Sequence, residues 1–272
     1  MSLWCQGFPT VTVPQGAEPK HVTYVYPYYE NANFLAKQVG WWHGYPADLK
    51  ERISVIVVDD GSPKYPAVDV LRGLGRPFPI RLFRIEVDIA WNWLAARNIG
   101  AKESVDGWLL MTDMDHVVPA ARFSTDGGST YDISTPRSIV YGKHDPKIVY
   151  AFDRVNPQGG RTKRDGSPLG PHSASFLMTK AMFWRIGGYD ETFSGGYGTD
   201  GMYRQRLAKH APIHLLTDRL VLHEYDGDSS TDNDTYKRKQ PSDAARKARI
   251  KASLPANHQP KVLSFAYHEV AL

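Results

Sequence analysis

Two aspartates follow an apolar stretch near the middle of the chain, where Leu109–Met111 leads into Asp113-Met114-Asp115, a D-x-D pattern. Side chains two residues apart in an extended segment point to the same side, so both carboxylates can face one ligand. Adjacent carboxylates repel each other unless a cation lies beside them, and hard oxygen ligands favour Mg²⁺ or Mn²⁺ over Zn²⁺. The same two aspartates could instead form only a turn or a helix cap.

Three further polar positions stand where strands or helices are predicted to begin or end. Asp59-Asp60-Gly61-Ser62 follows the β-branched run Ile53–Val58, which is typical of a strand covered on both faces. Asp200 begins a helical segment and His223 ends a strand-like one. Taken alone, these residues could be a turn, a helix N-cap and a hydrogen-bonded buried histidine.

Strands and helices alternate in the first part of the chain. Strands are predicted at 21–27, 53–58, 80–84 and 108–112, and helices between them at 33–43, 67–73 and 90–104. Such alternation predicts an α/β fold with parallel βαβ units, in which ligands bind beyond the carboxyl ends of the strands. Both acidic turns fall at such ends.

The second part of the chain is richer in loops. We expect long loops at 124–146 and 156–172, strands at 147–155, 175–179 and 213–222, helices at 181–186 and 200–209, and a glycine-rich stretch at 187–198. These patterns predict one α/β domain over 21–233, preceded by an extension at 1–20 and followed by a basic helix and tail at 234–272.

The composition excludes several classes of protein. The chain has 272 residues, of which 42% are hydrophobic and 23% charged, as expected for a globular protein and not for a disordered or collagen-like one. No apolar run approaches the roughly 20 residues of a membrane helix, and the first 20 residues lack a signal-peptide pattern. A single cysteine, Cys5, excludes an internal disulfide. We therefore expect a cytoplasmic protein.

A basic segment at 236–251 stands out from a nearly neutral body. Its one acid is Asp243, and it includes Lys237 and Arg238. Such a segment indicates an anionic partner such as a phosphate, a nucleic acid or a membrane surface, or else simply a solvated helix.

Five segments in order resemble the nucleotide-sugar-binding half and the base-bearing segment of the GT-A glycosyltransferases, in particular family 2. The segments are Val25-Tyr26-Pro27-Tyr28-Tyr29-Glu30-Asn31, Val57-Val58-Asp59-Asp60-Gly61-Ser62, Ala96-Arg97-Asn98-Ile99-Gly100, Thr112-Asp113-Met114-Asp115, and 186–193 with 196–207. The similarity spans about 21–225 and implies a GT-A fold with a Rossmann-like, mostly parallel central sheet flanked by helices. It also implies a nucleotide-binding half at 21–118 and an acceptor and catalytic half at 119–233.

The resemblance also implies an activity and a set of roles. The activity is metal-dependent transfer of a hexosyl or pentosyl group, with inversion, from a UDP- or GDP-type sugar donor to an acceptor hydroxyl, with Mn²⁺ or Mg²⁺ as cofactor. Pro27 and Tyr29 would line the nucleotide pocket, Asp60 would contact the base, Arg97 would hold the nucleotide end, Asp113 would face ribose or metal, Asp115 and His223 would ligate the metal, and Asp200 would be the general base. One departure is that the family's usual Glu-Asp pair is Thr199-Asp200 here.

Several functional alternatives stay open on the sequence. The acceptor could be a saccharide or small molecule, or a modified base in nucleic acid that the basic segment would bind. Lys237 and Arg238 could instead close over the donor's diphosphate as a lid. Thr199 in place of glutamate would suit a non-catalytic nucleotide-sugar-binding module. A nucleotidyltransferase is disfavoured because no glycine-rich triphosphate loop is found.

Overall fold

The computed structural model describes residues 8–14, 16, 18–118, 134–157, 159–163, 166–222 and 242–272. Three of the predicted site residues, His223, Lys237 and Arg238, lie outside the described residues, as does Cys5.

A ten-stranded sheet forms the centre of the described part of the chain. Its strands are β1 (Thr10–Val11), β2 (Val22–Tyr28), β3 (Ile53–Asp59), β4 (Ile80–Ile85), β5 (Trp108–Met111), β6 (His116–Val117), β7 (Val149–Val155), β8 (Phe176–Thr179), β9 (Ile213–Leu222) and β10 (Tyr267–Val270).

Helices accompany this sheet throughout the described ranges. They are α1 (Ala32–His43), α2 (Ala47–Lys50), α3 (Ala67–Gly73), α4 (Trp93–Glu103), α5 (Ser134–Tyr141), α6 (Lys180–Arg185), α7 (Asp200–His210) and α8 (Asp243–Ser253), with a short 3₁₀ helix at Glu191–Phe193.

The sheet has the order β1-β9-β7-β8-β5-β2-β3-β4-β10, with β6 pairing with β9. The neighbours β5, β2, β3 and β4 are all parallel, while β8 pairs antiparallel with β5. The predicted α/β fold with a mostly parallel central sheet is therefore confirmed.

Alternate residues of the central strands pack on opposite faces of the sheet. Tyr24 and Tyr26 of β2 belong to a buried cluster with Trp42 of α1, whereas Val25 belongs to a second cluster on the other side. Ile56 of β3 likewise packs in a cluster that contains α4 residues. Because helices cover both faces, these strands are apolar at nearly every position, which is the pattern read from the sequence.

One predicted helix boundary is wrong, and one predicted loop contains a helix. The helix predicted from residue 90 begins at Trp93, because Trp91 has a φ of 56° and a left-handed residue cannot continue an α-helix. The loop predicted over 124–146 contains α5, whose Ile139 and Val140 are fully buried. Pro136 is compatible with this helix because it lies in the first turn.

The two ends of the described chain add strands to the sheet. β1 pairs in parallel with β9, and β10 pairs antiparallel with β4 at the opposite edge. Between α8 and β10 the chain runs over the predicted glycine-rich region, where Asp190 accepts a hydrogen bond from the Lys261 amide at 3.1 Å. Glu191 accepts hydrogen bonds from the amides of Leu263 and Ser264 at 2.8 and 2.6 Å.

The close approach of α4 to β2 generates a stability prediction. A Cβ on Gly100 would lie 2.3 Å from Val25 Cγ1, whereas a Cβ on Gly40 of α1 would meet nothing within 4 Å. Replacing a helix glycine by alanine normally stabilises a helix by about 1 kcal/mol, but overpacking a core costs about 1–3 kcal/mol. We expect Gly100→Ala to lower Tm and the control Gly40→Ala to raise it by a few degrees in thermal unfolding. A rise in both variants would contradict the packing of α4 on β2.

Candidate functional site

Five of the predicted site residues lie at or just after the carboxyl ends of three parallel strands. Pro27 lies near the end of β2 and Tyr29 follows it, Asp60 follows β3, and Asp113 and Asp115 follow β5. Because β2 lies between β3 and β5, these ends are neighbours in space. In parallel α/β sheets, ligands bind just beyond the carboxyl ends of the strands.

The two acids of the first acidic turn have different structural roles. Asp59 is 1% exposed and its carboxylate accepts hydrogen bonds from the amides of Ser62 and Ala67, at 2.8 and 2.9 Å. Arg84 donates to the same carboxylate at 3.2 Å. Asp60 instead accepts the amide of Asn92 at 3.1 Å, which ties the turn to the start of α4. Asp59 therefore stabilises the turn itself, and Asp60 connects the turn to the loop before α4.

Tyr29 also reaches the loop that follows β4. Its hydroxyl donates to Asp88 Oδ1 at 3.1 Å. The next residue, Glu30, has a φ of 49° and its carboxylate accepts the amide of Lys64 at 2.8 Å. The segment after β2 is therefore linked to the segments that follow β3 and β4.

Arg97 is fully buried and connects α4 to the D-x-D segment. Its guanidinium donates to the backbone oxygen of Ala174 at 2.6 Å and to a carboxylate oxygen of Asp113. It also lies over the rings of Trp93 and Tyr189, at 5.1 and 5.6 Å from their centroids. The residue predicted to hold the nucleotide end thus makes a direct charge pair with Asp113.

Asp113 lies with two histidines that sequence reasoning did not single out. One ligand atom each from Asp113, His116 and His172 lie within 4.8 Å of one another. His172 Nε2 is 3.3 Å from Asp113 Oδ2, and the two imidazole rings stack with centroids 3.8 Å apart. A carboxylate and two imidazoles at this spacing form a candidate metal-binding cluster.

The charge of Arg97 keeps Asp113 ionised, and burial keeps His172 neutral. Burial alone would raise the pKa of Asp113, but the charge of Arg97 and the hydrogen bond with His172 outweigh it and hold that pKa below its ordinary value. Burial lowers the pKa of His172 to about 4, the nearby His116 lowers it too, and the hydrogen bond with Asp113 opposes the change. A neutral imidazole beside an ionised carboxylate has the protonation states that metal ligands require.

Asp115 pairs with the neighbouring His116. Its Oδ1 lies 2.6 Å from His116 Nδ1, while His116 Nε2 is buried and has no hydrogen-bond partner within the described ranges. Gln38 of α1 donates to the backbone oxygens of Met114 and His116, at 2.9 and 2.8 Å, and fixes this turn. The pairing leaves His116 Nε2 available as a ligand atom.

Hydrogen bonds through two hydroxyl groups, those of Ser175 and Thr112, hold His172 in place. Its Nδ1 lies 2.6 Å from Ser175 Oγ, which lies 2.7 Å from Thr112 Oγ1. These residues meet because β8 pairs antiparallel with β5, with Phe176 opposite Met111. The position of His172 therefore depends on this strand pairing.

Asp200 is the first residue of α7, and its side chain is 25% exposed. Its carboxylate lies 3.5 Å from the Arg204 guanidinium one turn later. Burial raises the pKa of Tyr189 to about 12, and the charges of Asp113 and Asp200 both act in that direction, against the charge of Arg97. Asp113 and Asp200 are thus both close enough to act electrostatically on one buried tyrosine.

Sequence reasoning missed His116 and His172. His116 directly follows the D-x-D pattern, so its position next to a predicted ligand pair was an available signal. His172 lies in a predicted loop, and only the pairing of β8 with β5 brings it to Asp113. The predicted ligand His223 lies outside the described residues.

The left-handed backbone of Trp91, in the loop tied to Asp60, generates a second stability prediction. The Trp91 ring packs against Tyr197 with centroids 4.8 Å apart. Replacement by either alanine or glycine removes that ring contact, but only glycine relieves the left-handed conformation, which costs roughly 1–2 kcal/mol for other residues. We expect Trp91→Gly to be more stable than Trp91→Ala by about 1 kcal/mol in denaturant unfolding.

The same pair of changes at Trp93 is the control. Trp93 lies in α4, where glycine is less favourable than alanine by about 1 kcal/mol. The order of stability should therefore reverse at Trp93, and an identical order at both positions would contradict the left-handed conformation of Trp91.

Two solved structures have a similar fold. The chain is similar to the mannosyltransferase PcManGT from Pyrobaculum calidifontis in complex with GDP-Man and Mn²⁺, with 13% identity and a TM-score of 0.55 over 87% of this chain and 68% of that one. It is also similar to residues 1–349 of S. aureus TarS in complex with UDP-GlcNAc, with 15% identity and a TM-score of 0.53 over 80% of this chain and 64% of that one. This chain thus spans about two thirds of the length of each, and at these identities the likeness shows the fold. Comparison with curated proteins finds no match.

Within the described ranges, every helix is too short or too polar to span a bilayer.

One family model also matches part of the sequence. The model described as glycosyl transferase family 2 matches residues 35–124, a range that contains Asp60, Arg97, Asp113 and Asp115. This match and the fold confirm the resemblance inferred from the five segments. The chain is thus a GT-A-fold protein similar to the glycosyltransferases of family 2.

Proposed function

We propose that this protein transfers a sugar from a nucleoside-diphosphate donor to an acceptor hydroxyl. The family match and the fold support a nucleotide-sugar glycosyltransferase. The observation that carries the proposal is the direct pair of Arg97 with Asp113 at the carboxyl end of β5, with Asp60 at the carboxyl end of β3 on the same side of the sheet, all within the matched range 35–124. These strand ends would bind the donor. Pro27, Tyr29 and Asp60 would contact the nucleoside, and Arg97 would hold Asp113 in place.

The residues around Asp113 fit a divalent cation. Asp113, His116 and His172 would hold it, since they offer one carboxylate oxygen and two nitrogens and His116 Nε2 is buried without a partner in the described part of the chain. Such a cation, when bound, stabilises the negative charge that develops on the departing diphosphate. Imidazole ligands favour transition metals, so we propose Mn²⁺ before Mg²⁺.

Asp115 has two proposed roles that differ in a measurable way. The D-x-D pattern makes it a direct metal ligand together with Asp113 and His223. Its 2.6 Å contact with His116 Nδ1 supports a different role, in which the carboxylate orients the imidazole and fixes its tautomer. We propose the orienting role, with Asp113 common to both arrangements and His223 retained as a further ligand.

Asp200 is the proposed general base. The acceptor hydroxyl must lose its proton as its oxygen attacks the anomeric carbon, and a carboxylate can accept that proton. Asp200 lies in the first turn of α7, at the positive end of the helix dipole. A single displacement of this kind inverts the configuration of the sugar.

The described basic residues do not favour a nucleic-acid acceptor over a saccharide or small molecule. Arg246 and Lys247 of α8 bind backbone oxygens of the chain itself, which leaves Arg249 and Lys251 as the exposed basic residues of this helix. We therefore propose a saccharide or small-molecule acceptor. A salt-sensitive affinity for DNA without donor would support the nucleic-acid acceptor instead.

Metal dependence is tested by thermal unfolding with UDP or GDP, with and without Mn²⁺. A ligand that binds only the folded protein raises Tm, so the metal should increase the shift caused by the nucleotide. We expect Asp113→Ala and His172→Ala to remove the Mn²⁺-dependent part, and Asp115→Ala to weaken the Mn²⁺ affinity about 10- to 100-fold without removing it. Asp106→Ala, at an exposed position two residues before β5, is the control and should behave as the unmodified protein.

A Mn²⁺-dependent shift that persists in both Asp113→Ala and His172→Ala would show that the cluster is not the metal site. A complete loss in Asp115→Ala together with an unchanged shift in His116→Ala would assign Asp115 as a direct ligand.

The proposed base is tested by Asp200→Asn. We expect turnover of the donor to fall about 10²- to 10⁴-fold, because general-base catalysis contributes a factor of that size. The nucleotide-induced shift in Tm should stay unchanged, since Asp200 is not one of the proposed donor-binding residues. Unchanged turnover with intact nucleotide binding would favour a different base or a non-catalytic binding module.

A further inference from the structure

The segment between the 3₁₀ helix and α7 is a glycine-rich loop at residues 194–199, and Asp200 follows it directly. Gly195 and Gly198 have φ values of 90° and 75°, and Gly196 lies between them. Glycine-rich segments have many accessible backbone conformations, so their native form depends on contacts from elsewhere. The placement of Asp200 therefore depends on what holds the 194–199 loop.

The start of α8 supplies such contacts on one side of the loop. Arg246 donates to the backbone oxygens of Ser194, at 3.0 Å, and Gly195. Lys247 Nζ donates to the backbone oxygen of Gly198 at 2.5 Å. The carboxylate of Asp243 accepts the amide of Tyr197 at 3.1 Å. Consecutive parts of the loop are thus hydrogen-bonded to the first turns of one helix.

These contacts also explain why the loop contains glycines. A Cβ on Gly195 would lie 2.8 Å from Arg246 Nη1, and a Cβ on Gly198 would lie 3.4 Å from Lys247 Nζ. The positive φ values account for both Gly195 and Gly198, and the approach of Arg246 adds a steric reason at Gly195.

We propose that Arg246 is a positioning residue for Asp200, an inference that rests on the proposed role of Asp200 as the general base. Arg246 holds two successive backbone oxygens of the loop that leads into α7. The planar guanidinium can donate to two oxygens in a fixed geometry, whereas an ammonium acts as a single point charge on a flexible stem. Arg246 acts through the backbone of the loop and takes no part in the chemical step.

The docking of α8 does not depend on Arg246 alone. Ile250 and Leu254 pack against the buried cluster that contains Phe193, Tyr203 and Leu207. Truncation of Arg246 should therefore leave α8 in place and release mainly the loop. This separates a positioning role from general support of the fold.

The test compares Arg246→Ala with Arg249→Ala, which removes an exposed arginine from the same helix. With Arg246→Ala we expect kcat to fall by up to about 10²-fold, the size of effect that a small misplacement of a reacting group can cause. KM for the donor and the nucleotide-induced Tm shift should stay unchanged, and added guanidinium should restore part of kcat. Arg249→Ala should match the unmodified protein in all of these measurements.

Arg246→Lys provides a second variant in case the alanine variant unfolds. It retains the charge and the aliphatic stem, so it should fold with a similar Tm but show an intermediate loss of kcat because one of the two carbonyl contacts is lost. Equal kcat in Arg246→Lys, Arg249→Ala and the unmodified protein would overturn the positioning role.

The outcome with Asp200→Asn separates this inference from the proposed function. If Asp200→Asn loses turnover and the Arg246 variants do not, only the positioning role of Arg246 is wrong. If Asp200→Asn retains full turnover, the proposed base is wrong and the inference about Arg246 is overturned with it.

Discussion

The charge pair between the buried Arg97 and the partly exposed Asp113 is the interaction on which the site depends. Arg97 has no exposed surface, and an unpaired guanidinium in that position would cost several kcal/mol. Asp113 must therefore stay ionised at the end of β5, and Arg97 also binds the backbone oxygen of Ala174. One side chain thus joins α4, the D-x-D segment and the chain that leads into β8.

The polar residues of the five segments divide into two groups. Asp59 and Glu191 are buried acceptors of backbone amides that shape turns and hold other segments in place. Asn98 belongs with them, because its amide binds Glu191 and the backbone of Tyr189, each at 2.7 Å. Asp113 and Asp200 remain partly exposed and are the acids proposed as metal ligand and general base. Acids within one segment therefore differ in function because of their hydrogen-bond partners.

Two segments near the C-terminal end of the described chain hold loops close to the site. α8 holds the 194–199 loop, and the segment after it binds Asp190 and Glu191 before β10 joins the edge of the sheet. A segment that the sequence indicated as a basic surface is thus partly an internal support. Arg246 and Lys247 bind backbone oxygens of the chain itself, which the net charge of the segment does not reveal.

The sequence by itself determined the strands and helices of the parallel core and the acids at the ends of β3 and β5, because apolar periodicity and turn residues act over a few positions. It did not determine the left-handed conformation of Trp91, the packing of α8 on the 194–199 loop, or the approach of His172 to Asp113. Only the tertiary structure decided these, since His172 reaches Asp113 through the antiparallel pairing of β5 with β8. Contacts between residues far apart in the chain depend on packing between elements, and a local pattern carries no information about it.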